Sequence, residues 1–179
     1  MCTEATAHPR RPSPRARLGV QFRVPMAWRA LLVAVAWVLP GAGSALERDV
    51  VILQDPSAQT SVTVTVEIAD TPQARAQGLM GRARLAEDAG MLFVYRTPRQ
   101  ISMWMHNTPL PLDMLFFRGG RLLYIEHEAE PFTRTARGPF APMDRVLEVN
   151  AGFARRHGIE RGWRLIEPSS MEAADNNSP

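Results

Sequence analysis

Residues 61–68 read Ser-Val-Thr-Val-Thr-Val-Glu-Ile. Val62, Val64, Val66 and Ile68 fall on one side and Thr63, Thr65 and Glu67 on the other, and this strict period of two is the pattern of a strand with one face on a core and the other in water. Asp70-Thr71-Pro72 follows and opens a helix. Thr71 or Asp70 is the cap, and Pro72 takes the first helical position, where its missing N–H costs nothing. The helix is expected to run to about Gln77 and to stop near Gly78 or Gly81. Upstream, Val50–Leu53 is a short apolar run closed by Asp55-Pro56-Ser57, a strand and a turn. Downstream, Met91–Tyr95, Ile101–Met105 and Leu112–Phe117 read as strands, and Gly119-Gly120 turns the last of these into Arg121–Glu126 as a hairpin. Arg145–Val149 is a further strand, Phe153–His157 one helical turn, and Ile159–Ile166 a final strand bent at Gly162. Many short strands and only one or two short helices predict a mainly β fold, a compact single-domain sandwich or barrel.

The residues ahead of this pattern have a different composition. The chain of 179 residues carries 21 basic and 18 acidic side chains and a net charge of +3. Six of the arginines (Arg10, Arg11, Arg15, Arg17, Arg23, Arg29) and one acid (Glu4) precede residue 45, so the remainder holds 15 basic and 17 acidic residues, a net charge of −2. The basic excess belongs to a leader, and nucleic acid is not an expected partner. Ala30–Leu39 is a ten-residue apolar run behind Arg29, followed by Pro40, Gly41 and the small residues Ala42 to Ala45. This is the layout of a secretory signal with cleavage near Ala45. A membrane-spanning helix needs about 20 apolar residues, so no stable anchor is expected after cleavage. Met26, just before the apolar run, is a candidate translation start. The expected divisions are a leader and signal peptide at 1–45, a strand and linker at 46–60, a folded domain at 61–167 and a disordered polar tail at 168–179, with the mature protein periplasmic or secreted.

Missing residue types exclude chemistry. The sequence has no lysine, and its one cysteine, Cys2, lies in the leader. The mature part therefore has no lysine Schiff base, thiol nucleophile, thiolate metal site or internal disulfide. Neither a cofactor nor a metal is expected.

Ala69-Asp70-Thr71-Pro72, then Gly78-Leu79-Met80 and Arg82, Gly90-Met91-Leu92-Phe93-Val94, Met103-Trp104-Met105, Asn107-Thr108, Pro111-Leu112-Asp113 and Phe116, and finally Val146-Leu147-Glu148, Gly152 and Gly158-Ile159, form a series of spaced motifs. In this order they resemble the domain of unknown function 192 (DUF192) over about Val62 to Ile166. The resemblance implies a compact β-rich domain, often behind a signal peptide, and no established activity. Where that family usually has lysine after Met-Trp-Met this chain has His106, which lacks a permanent positive charge. Where the family usually has an acid after the late glycine it has Trp163.

The candidate site residues are Arg82, Trp104, His106, Asn107 and Asp113. In an extended segment Ile101, Met103 and Met105 share the core face, and Ser102, Trp104 and His106 the other. An indole beside an imidazole and an Asn-Thr turn suits the wall of a small polar pocket. Asp113, between Leu112 and Met114, must find an arginine, with Arg82 the expected partner, or several backbone N–H donors. The leading expectation is a non-catalytic module for a small polar ligand or a periplasmic protein. The alternatives are a hydrolase-type enzyme using His106 and Asp113, and a copper-handling protein drawing on the methionines. Strand parity opposes the copper reading, because Met103 and Met105 point away from His106.

Overall fold

The computed structural model describes residues 46–168. The expected leader, signal and candidate start, and all but the first residue of the expected tail, lie outside the described residues. Seven strands, β1 (Arg48–Gln54), β2 (Ser61–Ala69), β3 (Ala89–Gln100), β4 (Leu112–Arg118), β5 (Arg121–Ala129), β6 (Pro142–Asn150) and β7 (Arg164–Ile166), are joined by two short helices, α1 (Pro72–Gln77) and α2 (Phe153–Arg156). The strands close into a barrel in the order β1-β2-β3-β6-β4-β5-β7. Of the two expected architectures the barrel is the one formed.

β2 and β3 are the parallel neighbours, paired from Thr65 opposite Ala89 to Ala69 opposite Phe93. Parallel neighbours cannot be joined by a tight turn, and the crossover that joins them carries α1. This helix starts as its sequence dictates, with the Ala74 N–H donating to Thr71 Oγ1 at 3.1 Å and Pro72 in the first turn. β1, expected to stand ahead of the domain, is a stave of the barrel. Its residues pair with β2 from Arg48 opposite Glu67 to Gln54 opposite Ser61, and with β7 from Ile52 opposite Ile166 to Gln54 opposite Arg164.

The alternation along the strands builds two apolar layers. Val64, Val66, Leu92, Val94, Leu115, Phe117, Leu147 and Val149 fill the barrel with Phe153 and Trp163. The intervening residues of β3, β4 and β6, among them Met91, Phe93, Met114, Phe116 and Val146, face outwards and are covered by Ala74, Leu79, Ile101, Met103 and Met105. These three strands are thus buried on both faces, which is why Leu112–Phe117 is an unbroken apolar run around Asp113. Gly90 lets β3 lie close to β6, for a Cβ there would meet the Glu148 carbonyl oxygen at 2.6 Å.

Two expected strands are corrected. Residues 101–105 form no ladder; a single bridge joins Met103 to Arg137, with N–H to carbonyl distances of 2.9 Å in both directions. The facing segment, 130–141, contains Pro131, Phe132 at φ 60° and Gly138 at φ 126°, and cannot run alongside as an extended partner. The expected side-chain alternation survives nonetheless: Ile101, Met103 and Met105 are buried, while Ser102 and Trp104 are exposed. Ile159–Ile166 is a strand only over Arg164–Ile166, since Gly158 at φ 63° and Gly162 at φ 100° turn the chain before it.

Candidate functional site

The outer layer of β3, β4 and β6 leaves one opening beside Trp104. α1 packs against one edge of it and residues 101–108 against another, and the cleft between them encloses about 300 Å³. Its lining includes Arg75, Phe93, Tyr95, Ser102, Trp104 and Glu148. Gly78, at the end of α1, has φ 49°, and a Cβ there would come within 3.2 Å of the Phe93 ring, so this wall requires glycine.

Glu148 sets the electrostatics of the cleft. Its side chain projects from the outer face of β6, opposite Met91 of β3 and Met114 of β4, two residues with no exposure at all. Glu148 itself is 4% exposed and makes no side-chain hydrogen bond or ion pair among the described residues. The flanking methionines offer no donor, and backbone N–H groups in mid-sheet are committed to the ladders. Burial pushes its carboxyl up to about 8 from the ordinary 4.5, so the group is mostly protonated at neutral pH.

At the mouth, the Arg75 guanidinium lies 4.8 Å from the centre of the Tyr95 ring. One of its nitrogens, Nη1, donates to the Val94 carbonyl at 2.9 Å and to the Asp70 carbonyl. Burial raises the Tyr95 phenol above its usual range, and the Arg75 charge opposes this shift. Trp104 is 52% exposed, and its ring centre is 5.5 Å from that of His106. The floor is thus an uncharged acid, the walls are aromatic, and one fixed cation stands at the entrance. Such a cleft can hold a small molecule by its apolar body and present it with one titratable group.

The sequence candidates fall in different places. Trp104 lines this cleft. The His106 ring packs against that of Trp104 at a tilt of 52°, and the His106 carbonyl accepts the Thr108 hydroxyl at 3.2 Å. Asn107 acts through its backbone, at φ 52°, accepting the Gly81 N–H at 2.8 Å and so docking the 106–108 turn on the turn that follows α1. Arg82 does not pair with Asp113. It forms a two-pronged ion pair with Glu67, Nη1 to Oε1 at 2.7 Å and Nη2 to Oε2, and lowers the Glu67 carboxyl below its usual range. It lines a neighbouring, wider cleft with Arg48 and Asp70.

Asp113 takes the other solution open to it. Oδ1 accepts from the Glu128 and Gly152 N–H groups at 2.8 and 3.1 Å, and Oδ2 from the Ala154 N–H at 2.9 Å. The reason is local: Gly152 and Ala154 begin α2, whose first N–H groups lack partners within the helix. With no exposure and both oxygens engaged, Asp113 forms no hydrogen bond with His106. Among the described residues no three histidine, aspartate or glutamate side chains group as a metal site. The methionines near Glu148 pack in the outer layer, Met91, Met103, Met105, Met114 and Met143 all buried.

Glu148, Tyr95, Arg75 and Ser102 were not among the sequence candidates. The signal for Glu148 was nevertheless present: it stands in Val146-Leu147-Glu148-Val149, an acid in an apolar run, as Asp113 does.

The DUF192 family model, described as "Uncharacterized ACR, COG1430", matches residues 53–166. This chain belongs to the DUF192 family. A solved structure from Sinorhizobium meliloti 1021, described as a "putative transcription regulator", shares 40% identity over 68% of this chain and 95% of its own, with a TM-score of 0.66. A protein of unknown function from Novosphingobium aromaticivorans DSM 12444 shares 32% identity over 70% of this chain and 89% of its own, also with a TM-score of 0.66. No curated protein matches the sequence.

Proposed function

We propose that this DUF192 protein is an exported, non-catalytic domain that binds a small polar ligand in the cleft between α1, β3 and residues 101–108. The observation that carries the proposal is Glu148, an almost fully buried acid without a protein partner on the lining of an open cleft. Burying such a group costs stability, and perturbed acids in clefts mark functional sites more often than elsewhere. Binding is favoured over catalysis because Asp113, the acid a hydrolase would pair with His106, is engaged by three backbone N–H groups. Export rests on Arg29, the apolar run Ala30–Leu39 and the small residues up to Ala45. The description of the S. meliloti relative would call for a basic face on nucleic acid, whereas the residues after 45 carry more acids than bases.

The barrel is complete within residues 46–168, so protein beginning at Leu46 is suited to a thermal-shift screen against a metabolite library. Saturating ligand raises the melting temperature by mass action. A shift of several degrees that disappears in both Trp104→Ala and Glu148→Gln is expected; hits that persist unchanged in both variants place the ligand elsewhere and defeat the proposal.

A further inference from the structure

We propose that the ligand of this cleft is a small primary amine, bound as its ammonium ion against Glu148 with its apolar body under the rings of Tyr95 and Trp104. The inference deepens the binding proposal and rests on it. Glu148 is the acid of the cleft lining, and no described residue partners its oxygens. Arg75, the cation of the cleft lining, is held at the rim by the Val94 and Asp70 carbonyls and reaches the Tyr95 ring instead. That contact also shows what these walls accept, since a cation already sits on an aromatic face at the entrance.

The groups facing Glu148 leave few other roles for it. β3 presents Met91, Phe93 and Tyr95, and β4 presents Met114 and Phe116. The 101–108 segment adds Ser102, Met103, Trp104 and Thr108, and α1 adds Arg75 and Gln77, whose amide donates to the Met80 carbonyl at 3.4 Å. The ionisable groups in this set are the Tyr95 phenol and Arg75. Thioethers and ring faces give a carboxylate no hydrogen bond, but ring faces attract a cation. An ammonium ion brings three donors to an acid that none of these side chains bonds. The fixed Arg75 charge at the mouth disfavours a second positive group, so a monoamine fits where a diamine does not. A volume of about 300 Å³ lies at the small end of ligand sites.

Proton balance gives the proposal a signature. In the empty cleft burial keeps Glu148 protonated up to about pH 8. When an ammonium ion enters, the carboxyl O–H bond breaks, the proton leaves to the buffer, and the carboxylate pairs with the ligand. Nearly one proton per ligand should be released at pH 6.5 and almost none above pH 9.

Isothermal calorimetry on protein from Leu46, in two buffers of different ionisation enthalpy, tests this with 2-phenylethylammonium, the neutral 2-phenylethanol, the anion 3-phenylpropionate and the dication of 1,4-diaminobutane. The expected result is that 2-phenylethylammonium binds at least tenfold more tightly than the other three and releases close to one proton at pH 6.5. Glu148→Gln should abolish both the preference and the release while still binding the alcohol. Binding of the alcohol or the anion as tightly as the ammonium ion, or ammonium binding without proton release, overturns the amine assignment and leaves the cleft a ligand site. Absence of binding by all four probes, alongside a screening hit that depends on Trp104 and Glu148, also overturns it; absence of any such hit removes the binding proposal itself.

Discussion

Glu148 and Asp113 are both carboxylates in apolar strands, yet they resolve the cost of burial in opposite ways. Asp113 is short and sits at the start of β4, where α2 and residue 128 supply unpaired N–H groups. Glu148 stands in mid-sheet between two methionines, where no donor is free, and remains protonated instead. The sign of the consequence follows from linkage. With a folded value of about 8 against an ordinary 4.5, the native state holds a proton that the unfolded state has lost. The associated stability is fully present below about pH 4.5 and is lost as pH rises to about 8, on the order of 3–5 kcal/mol in all. Glu67, lowered by its bond to Arg82, acts in the opposite sense and loses its contribution as pH falls below 4.5. Urea midpoints of the parent should therefore decline between pH 5 and 9, while Glu148→Gln, neutral throughout, should decline far less and become the more stable protein at pH 9. Parallel decline of the two would show that Glu148 is not the source.

At the scale of elements, the distant acid matters more than local propensity. α2 has four residues, too few to hold together in water without support, and its first N–H groups are capped from β4 by Asp113. That one side chain ties β4, the end of β5 and the start of α2. Asp113→Ala would leave three donors without this acceptor, the Ala154 N–H buried and those of Glu128 and Gly152 half-buried, at about 1–3 kcal/mol for a donor that water does not reach. A fall in the denaturant midpoint equivalent to about 1–3 kcal/mol is expected, with faster hydrogen exchange at the Gly152 and Ala154 amides. An unchanged midpoint would remove the structural role. Residues 101–105 give the complementary lesson. Their period of two correctly divides Met103 and Met105 from Trp104, although they are not in a sheet, because alternation belongs to extended backbone whether or not a neighbour completes the ladder. Arg137 keeps them in place through the Met103 bridge and its own bonds to Glu126 and Thr133, at 2.7 and 3.0 Å.

At the scale of the molecule, the proposed export predicts a mature protein that begins at Leu46, two residues before β1. N-terminal sequencing of the exported fraction checks this, and a mature end within β1 would contradict it, because removing that strand opens the barrel between β2 and β7. The charge argument belongs to the same scale: with the leader gone the protein turns from basic to slightly acidic.

The sequence by itself determined most of the elements, from the alternation at Ser61–Ile68, the cap and proline of α1 and the Gly-Gly hairpin, because each depends on residues a few positions apart. It also determined the family, through motifs spread from Ala69 to Ile159. The tertiary structure alone decided between barrel and sandwich, by pairing Ile52 with Ile166, residues at opposite ends of the domain. It alone also sent Arg82 to Glu67 rather than Asp113, and brought Trp104 to the same cleft as Glu148, Tyr95 and Arg75. Backbone periodicity reports which face of an element a residue occupies. The partner of a buried charge depends instead on which donors distant elements bring within about 3 Å, and that distance is set only when the barrel closes.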